Sequence, residues 1–348
     1  MSKIKNLHGF KKALAIFGIV LGAIIAFVLL VLLCIHLFTP VVFNGFFSNA
    51  EKEYVAPGLS DGLVPQGYAY VEEKDLYLMC GYMTDNVSAS RIYITNAKNT
   101  KETSYVELYT PDGAPYTGHT GGLTQAGDFL WLANDGEGDD NCVWVFSLEE
   151  ILNAENGSKI TLKTSFKPES RSAYCYASDK YLWVGEFRDD EKYPTAESHK
   201  FDVSGGTNYA LICAYPLDAS TEYGIKTTDG AITPELLLSV TDLVQGFTIT
   251  DDGKLVLSTS YALNKSHLLI YNDVTENDPD ASLTINGADI PVYFLDADVL
   301  AEDVVMPPMS EEIFVKDGKI FVLFESACKK YIFGNFTRGR HIYSYEAK

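Results

Sequence analysis

Two sets of polar side chains in this sequence stand at the edges of short apolar runs. The first set opens five such runs: Gln66, His119, Arg171, Gln245 and Glu311. The second closes the five runs that follow them: Tyr82, Asp135, Glu186, Tyr261 and Glu325. Charged and amide groups are costly beside an apolar core unless they are paired or hydrogen-bonded, so their concentration at these positions marks a candidate site. Glu186, Glu311 and Glu325 are of the right type for general acid–base work, with His119 or Arg171 orienting a substrate. Without chemistry, the same groups suit recognition of a small molecule, a peptide or a glycan. The plainer alternative is a wet channel lined by polar residues that hold only water. Arg171 is expected to pair with one of the neighbouring acids, Glu186 or Glu325, because an unpaired buried charge is costly.

Other chemistry is poorly represented. The six histidines show no i, i+4 pairing, and two of them, His8 and His36, flank or enter the apolar N-terminal stretch, so no metal centre is expected. One cation remains a candidate: Asp135-Gly136-Glu137-Gly138-Asp139-Asp140 could offer oxygens to calcium, although it departs from EF-hand spacing. Asn86-Val87-Ser88, Asn156-Gly157-Ser158, Asn264-Lys265-Ser266 and Asn335-Phe336-Thr337 fit the glycosylation triplet. GxSxG, HExxH, the P-loop and GxGxxG do not occur.

The elements that must position the polar sets come from a repeat. Each unit is a polar residue, a short alternating strand, a tight turn and a second apolar strand. The units read Gln66-Gly67-Tyr68 with Leu76-Tyr77-Leu78, Gly121-Gly122-Leu123 with Phe129-Leu130-Trp131, and Ser172-Ala173-Tyr174 with Tyr181-Leu182-Trp183. Two more read Gln245-Gly246-Phe247 with Leu255-Val256-Leu257, and Glu312-Ile313-Phe314 with Ile320-Phe321-Val322. Leu76, Phe129, Tyr181, Leu255 and Ile320 are 53, 52, 74 and 65 residues apart. That spacing suits the four-stranded blades of a five-bladed β-propeller with loop insertions. The alternatives are a six-bladed ring and an irregular β-sandwich.

A third strand recurs at Ile92, Val143, Leu211, Leu268 and Ile342, and a fourth is expected at residues 105–109, 160–164, 236–240 and 292–295. The fifth unit ends after its third strand, so residues 53–56 are expected to supply its outer strand and close the ring. Short helices are expected at 148–153, capped by Ser147 with Glu150, and at 299–302, capped by Asp296. In a propeller the innermost strand starts on the face where its neighbour ends. Gln66, His119, Arg171, Glu186, Gln245, Tyr261, Glu311 and Glu325 should therefore gather around the axis on one face as a ligand-binding funnel. Residues 188–208 should rise beside it as a rim.

At Gln245-Gly246-Phe247, followed by Ser258-Thr259-Ser260-Tyr261 and Ser266-His267-Leu268, the chain resembles blades of five-bladed propellers of the plant-type and bacterial glutaminyl cyclase class. The first unit echoes this with Gln66-Gly67 and Gly81-Tyr82. It looks like a member of a family of membrane-anchored bacterial propellers on that plan. The resemblance implies that Gln66, Gln245 and Glu311 lie near an axial pocket, and it does not imply cyclase activity.

Residues 13–35 form 23 residues without a charge, long enough as a helix to cross a hydrocarbon core of roughly 30 Å. Lys3, Lys5, Lys11 and Lys12 precede them, which places the N-terminus in the cytoplasm. The alternative, a cleaved signal peptide, requires a shorter apolar core. The expected organisation is a basic tail at 1–12, a transmembrane helix at 13–38, a linker at 39–50 and an extracytoplasmic propeller at 51–348. Beyond the four lysines, 23 Lys+Arg face 47 Asp+Glu, a net charge of −24. A surface so acidic argues against nucleic acid and against anionic lipid headgroups as partners. Cys80, Cys142, Cys175, Cys213 and Cys328 are odd in number and mostly inside apolar runs, so a disulfide framework is not expected. Three functions compete: a binding module using the funnel, an ectoenzyme acting on glycans or peptide N-termini, and a scaffold that works through its rim.

Overall fold

A computed structural model describes residues 2–136, 141–190, 192–331 and 333–347. Five sheets, each with a four-stranded antiparallel core, surround one axis as the blades of a propeller. From the axis outward, blade one is Leu63–Val71, Leu76–Met83, Arg91–Asn96 and Thr103–Tyr109. Blade two is Gly122–Ala126, Phe129–Asn134, Cys142–Ser147 and Thr164–Phe166. Blade three is Tyr174–Ala177, Tyr181–Gly185, Ala210–Pro216 and Leu236–Val240. Blade four is Val244–Ile249, Leu255–Thr259, Ser266–Tyr271 and Leu300–Met306. Blade five is Ser310–Lys316, Lys319–Phe324 and His341–Tyr345, completed on the outside by Ala50–Val55.

The ring closes through the segment ahead of blade one as expected, but the outer strand is Ala50–Val55 and not residues 53–56. Ala50 pairs with Tyr345, Lys52 with Tyr343 and Val55 with His341. Leu76, Phe129, Tyr181 and Leu255 each open the second strand of their blade, and Ile320 stands one residue further in, after Lys319. Each inner sheet is packed between two neighbours, so its strands are apolar on both faces. Five separate apolar clusters result, one for each seam between blades. Between blades five and one, for example, Phe314 packs on Tyr68, Tyr77 and Phe321, and Tyr77 packs on Tyr68 and Phe321, with ring centres 4.7 to 6.2 Å apart.

Three expectations need correction at the outer edges. Ser158–Thr161 does not serve blade two; it adds in parallel to Thr103–Tyr109 of blade one, and Thr164–Phe166 is the outer strand of blade two. Ala288–Phe294 likewise joins blade three, in parallel with Leu236–Val240, and carries Ala281–Ile285 beyond it. The helix expected at 299–302 is instead the start of the strand Leu300–Met306, whose Val304 and Val305 pair with Leu268 and His267. Asp296 holds a turn there, accepting from the amides of Ser204 and Asp298. The helix Leu148–Asn153 is present, with the Ser147 hydroxyl accepting from the Glu150 amide at 3.2 Å. All six cysteines are free thiols.

Ahead of the ring runs one helix, Ser2–Val42, and its segment Lys11–Val42 is long and apolar enough to cross a membrane. The residues expected as a linker are folded. Asn44–Phe47 forms a helical turn, and Phe43 and Phe46 are buried against the ring.

Candidate functional site

The inner strands of three blades are irregular at the positions that matter. The register slips between Pro65 and Tyr68, between Val244 and Gly246, and between Ser310 and Ile313. Those slips fall on Gln66-Gly67, Gln245 and Glu311-Glu312. A bulge leaves its extra residue unpaired and re-aims its side chain, and here it turns amide and carboxyl groups to the axis. The close approach of the strands demands glycine beside them. A Cβ on Gly122 would lie 2.5 Å from the Cys175 amide nitrogen, and one on Gly246 would lie 2.8 Å from the Glu312 Cα.

These strand entrances and the exits of the second strands enclose a cavity of about 740 Å³ on one face of the ring. Its wall includes Gln66, His119, Gln245, Tyr261, Glu311 and Glu325, six of the eight residues singled out by position in the sequence. Met309 and Ala262 also line it, and both hold the left-handed backbone, at φ +66° and +52°. Non-glycine residues rarely adopt that conformation, and it clusters at functional sites.

The remaining two residues do not join the wall. Arg171 lies in the connection ahead of blade three's inner strand, and its guanidinium pairs with neither Glu186 nor Glu325 but with Asp135. The guanidinium Nε donates to Asp135 Oδ1 at 2.7 Å, and the arginine passes over the Tyr193 ring. Asp135 itself does line the cavity. Glu186 is turned inward, where its carboxylate accepts from the amides of Leu211 and Arg171 and meets His199 Nδ1 at 2.9 Å. With its oxygens occupied, it is a brace for the 188–208 insertion. That insertion brings Lys192 and Tyr193 to the cavity. Of the acidic loop proposed for calcium, Glu137, Gly138, Asp139 and Asp140 lie outside the described residues.

The centre of the site is a pair of acids. Burial pushes Glu311 well above the usual carboxyl range, and the Glu325 charge, then that of Glu312, pushes it further. Glu325 is raised to about 7 by burial, against the pull of the Lys330 ammonium and hydrogen bonds from Tyr331, Gln66 and Glu311. Gln66 Nε2 donates to Glu325 Oε2 at 3.0 Å. The consistent proton placement has Glu311 as the neutral acid donating to the Glu325 carboxylate, since two adjacent buried charges of one sign cannot both persist. The two carboxyls touch each other, closer than the 5 Å or so that separates the acids of glycoside hydrolysis. Next to them Lys330 donates to the Tyr82 hydroxyl, and Lys192 donates to Tyr261 Oη at 2.8 Å.

His119 packs against Tyr82 with ring centres 5.5 Å apart. Its ring still meets the open cavity, but the protein packed around it, with the Lys330 ammonium, pushes the imidazole down to about 4. The side chains of His119 and Gln245 have no hydrogen-bond partner among the described residues. Position along the repeat pointed to the strand ends but passed over Asn86, Lys192, Lys330 and Tyr331, which lie four to six residues past Tyr82, Glu186 and Glu325. The aromatic and basic residues of those loops were the available signal.

Neither a protein-family profile nor a curated protein matches the sequence. Among solved structures the chain is similar to the PQQ-bound aldose sugar dehydrogenase of Streptomyces coelicolor, at 11% identity and a TM-score of 0.46, covering 84% of this chain and 95% of that one. It is similar to the exo-β-1,3-galactanase of Phanerochaete chrysosporium, at 11% identity and a TM-score of 0.46, covering 85% of this chain and 64% of that one. It is also similar to regucalcin, a calcium-binding protein of Agrobacterium tumefaciens, at 9% identity and a TM-score of 0.37, over 81% and 90% of the two chains. At these identities nothing of function follows for this chain.

Proposed function

We propose that this chain is a membrane-anchored propeller that binds a small polar molecule, or the end of a peptide or glycan, in its axial funnel. The observation that carries this reading is the meeting of Gln245 and His119, polar groups without protein partners among the described residues, with the Glu311–Glu325 acid pair in one cavity. A volume of about 740 Å³ lies inside the range of roughly 300–1,000 Å³ typical of ligand sites. Tyr82, Phe187, Tyr193, Tyr261 and Tyr331 supply apolar ring faces, and the acids and amides supply donors and acceptors for hydroxyl or amino groups. The helix Lys11–Val42 is the anchor, with the N-terminal lysines on the cytoplasmic side.

A second reading is favoured by one feature. An acid that titrates near 7 beside a neutral partner acid is suited to proton transfer at neutral pH, so the same funnel supports an acid–base ectoenzyme. The first test is a thermal-shift screen of the full chain in detergent against monosaccharides, amino acids and short peptides. Calorimetry then compares the wild type with Glu311→Gln and Gln245→Ala. The reading expects at least a tenfold loss of affinity in both variants with unchanged circular dichroism. Full affinity in both would move the site off the axis.

A further inference from the structure

The two faces of the ring differ in what they expose. Outside the N-terminal helix, the large apolar residues left in solvent among the described residues are Val55, Val87, Tyr193, Leu263 and Phe333. Val87, Leu263 and Phe333 are 72%, 56% and 60% exposed. All five lie on the funnel side. Tyr193 and Leu263 line the funnel itself, and Val87 and Phe333 stand within two residues of Asn86 and Tyr331, which also line it. Val55 pairs with His341, where the third strand of blade five leaves that face. The opposite face presents hairpins such as Asp251-Asp252-Gly253 and Asp317-Gly318, with polar tips.

The helix arrives on this same side. Arg338, in the connection that carries Lys330 and Tyr331 to the funnel, donates from Nε to the carbonyl of His36 at 3.1 Å. Thr39 is buried in that contact, while the helix ahead of it stands clear of the ring. At 1.5 Å per residue, the 32 residues Lys11–Val42 measure about 48 Å, longer than a hydrocarbon core of roughly 30 Å. Phe38, Val41 and Val42 remain exposed beside the ring, so the apolar surface continues up to the funnel face without a polar spacer.

Charge agrees with this placement. From Ser326 to Tyr345 the chain carries Lys329, Lys330, Arg338 and Arg340 and no acid, in a domain whose net charge is −24. That net charge argued against anionic headgroups, but it is not spread evenly, and its local reversal falls beside the helix. Basic residues close to a membrane span attract anionic lipid. Acids stand elsewhere on this face: Asp135 lines the funnel from blade two, Asp85 lies two residues before Val87, and Asp189 and Asp190 precede Tyr193.

We propose that the funnel face lies against the surface of the membrane that the helix crosses, its apolar rim among the headgroups and the blade-five basic residues on anionic lipid, so that the funnel takes its ligand at the bilayer surface. The proposal rests on the anchored-propeller reading above. The test places a photo-reactive benzoylphenylalanine at Leu263, Phe333, Glu73 or Asp252 of the full chain, in nanodiscs of phosphatidylcholine with phosphatidylglycerol. Glu73 and Asp252 lie at turns of the opposite face. Lipid adducts at 263 and 333 are expected to exceed those at 73 and 252 at least tenfold. The pair Lys329→Glu, Arg340→Glu should reduce the adducts at least twofold in anionic discs and leave them unchanged in pure phosphatidylcholine. Equal adducts at all four positions, or adducts favouring 73 and 252, overturn the proposal. A chain that does not enter nanodiscs at all overturns the anchor as well. Funnel binding is read separately in detergent, so a ligand bound there without lipid adducts sinks the docking alone.

Discussion

Glu311 and Glu325 hold more protons in the folded protein than the same groups would in an unfolded chain. Both are raised, Glu325 to about 7 from an ordinary value of 4.5, and burial is the first cause in each. Stability from such a pair is fully present below about 4.5 and is lost as pH rises through 7, because the unfolded chain gives up its protons first. For Glu325 alone the loss is on the order of 3 kcal/mol, since each tenfold change in proton affinity is worth about 1.4 kcal/mol. Glu311→Gln keeps the donor and removes that residue's own titration, leaving Glu325 to titrate. The variant should melt higher than wild type at pH 8 and about equally at pH 5, while binding ligand more weakly. Denaturant melts at the two pH values check this, and an undiminished pH slope in the variant would show that the acids do not share a proton.

Glu312, next along the same bulge, acts between elements. It is 1% exposed, and its Oε2 accepts from the amides of Tyr68 at 2.7 Å and Leu123 at 2.8 Å, tying blade five to blades one and two across the axis. Glu312→Ala leaves those amides buried without an acceptor and should cost about 2–4 kcal/mol, whereas Glu312→Gln retains an acceptor and should cost less. Equal losses in denaturant melts would mean that packing, and not the amide contacts, sets the cost. At the seam closed by the N-terminal strand, Tyr54 shares a 2.8 Å hydrogen bond with Tyr68 and stacks on Tyr77. Tyr54→Ala should lower stability by about 3–5 kcal/mol, and a melt within about 1 °C of wild type would leave the closure without energetic weight. The inner strands were legible in the sequence because burial between two blades forces an apolar run with a polar entrance. The outer strands were not. Ser158–Thr161 and Ala288–Phe294 have ordinary strand patterns, and nothing in a strand's own alternation says which blade's edge it will join. The site divides in the same way. Gln66, Gln245 and Glu311 lie within their strands, where the repeat fixes their place. Arg171 stands three residues ahead of Tyr174, in a connection whose course the repeat does not fix.

For the molecule as a whole, the consequence of the fold is a ring joined to its N-terminal helix by packed residues. A propeller on a loose tether could present any face to the membrane, and the charge-free stretch followed by residues 39–50 reads equally well as such a tether. The structure closes that freedom at Phe46, which has no exposed surface. Its ring packs 5.7 Å from Tyr345, 5.8 Å from Tyr343 and 6.0 Å from Phe324. The same cluster contains Leu268, Val304 and Met306 of blade four and Ile320 of blade five, so the seam between these blades is completed by the segment that follows the helix. Removing the ring therefore acts at two levels. Phe46→Ala opens a cavity in the seam, at a cost of about 3–5 kcal/mol, and it removes the contact that holds the segment after the helix against the ring. The full chain should melt earlier in detergent, and protease should cut between residues 43 and 50 of the variant while the ring remains intact. Val42→Ala, at an exposed position one turn earlier, should do neither. If Phe46→Ala melts with wild type and stays uncut, residues 43–50 are a passive tether, and the orientation of the funnel toward the membrane loses its mechanical basis.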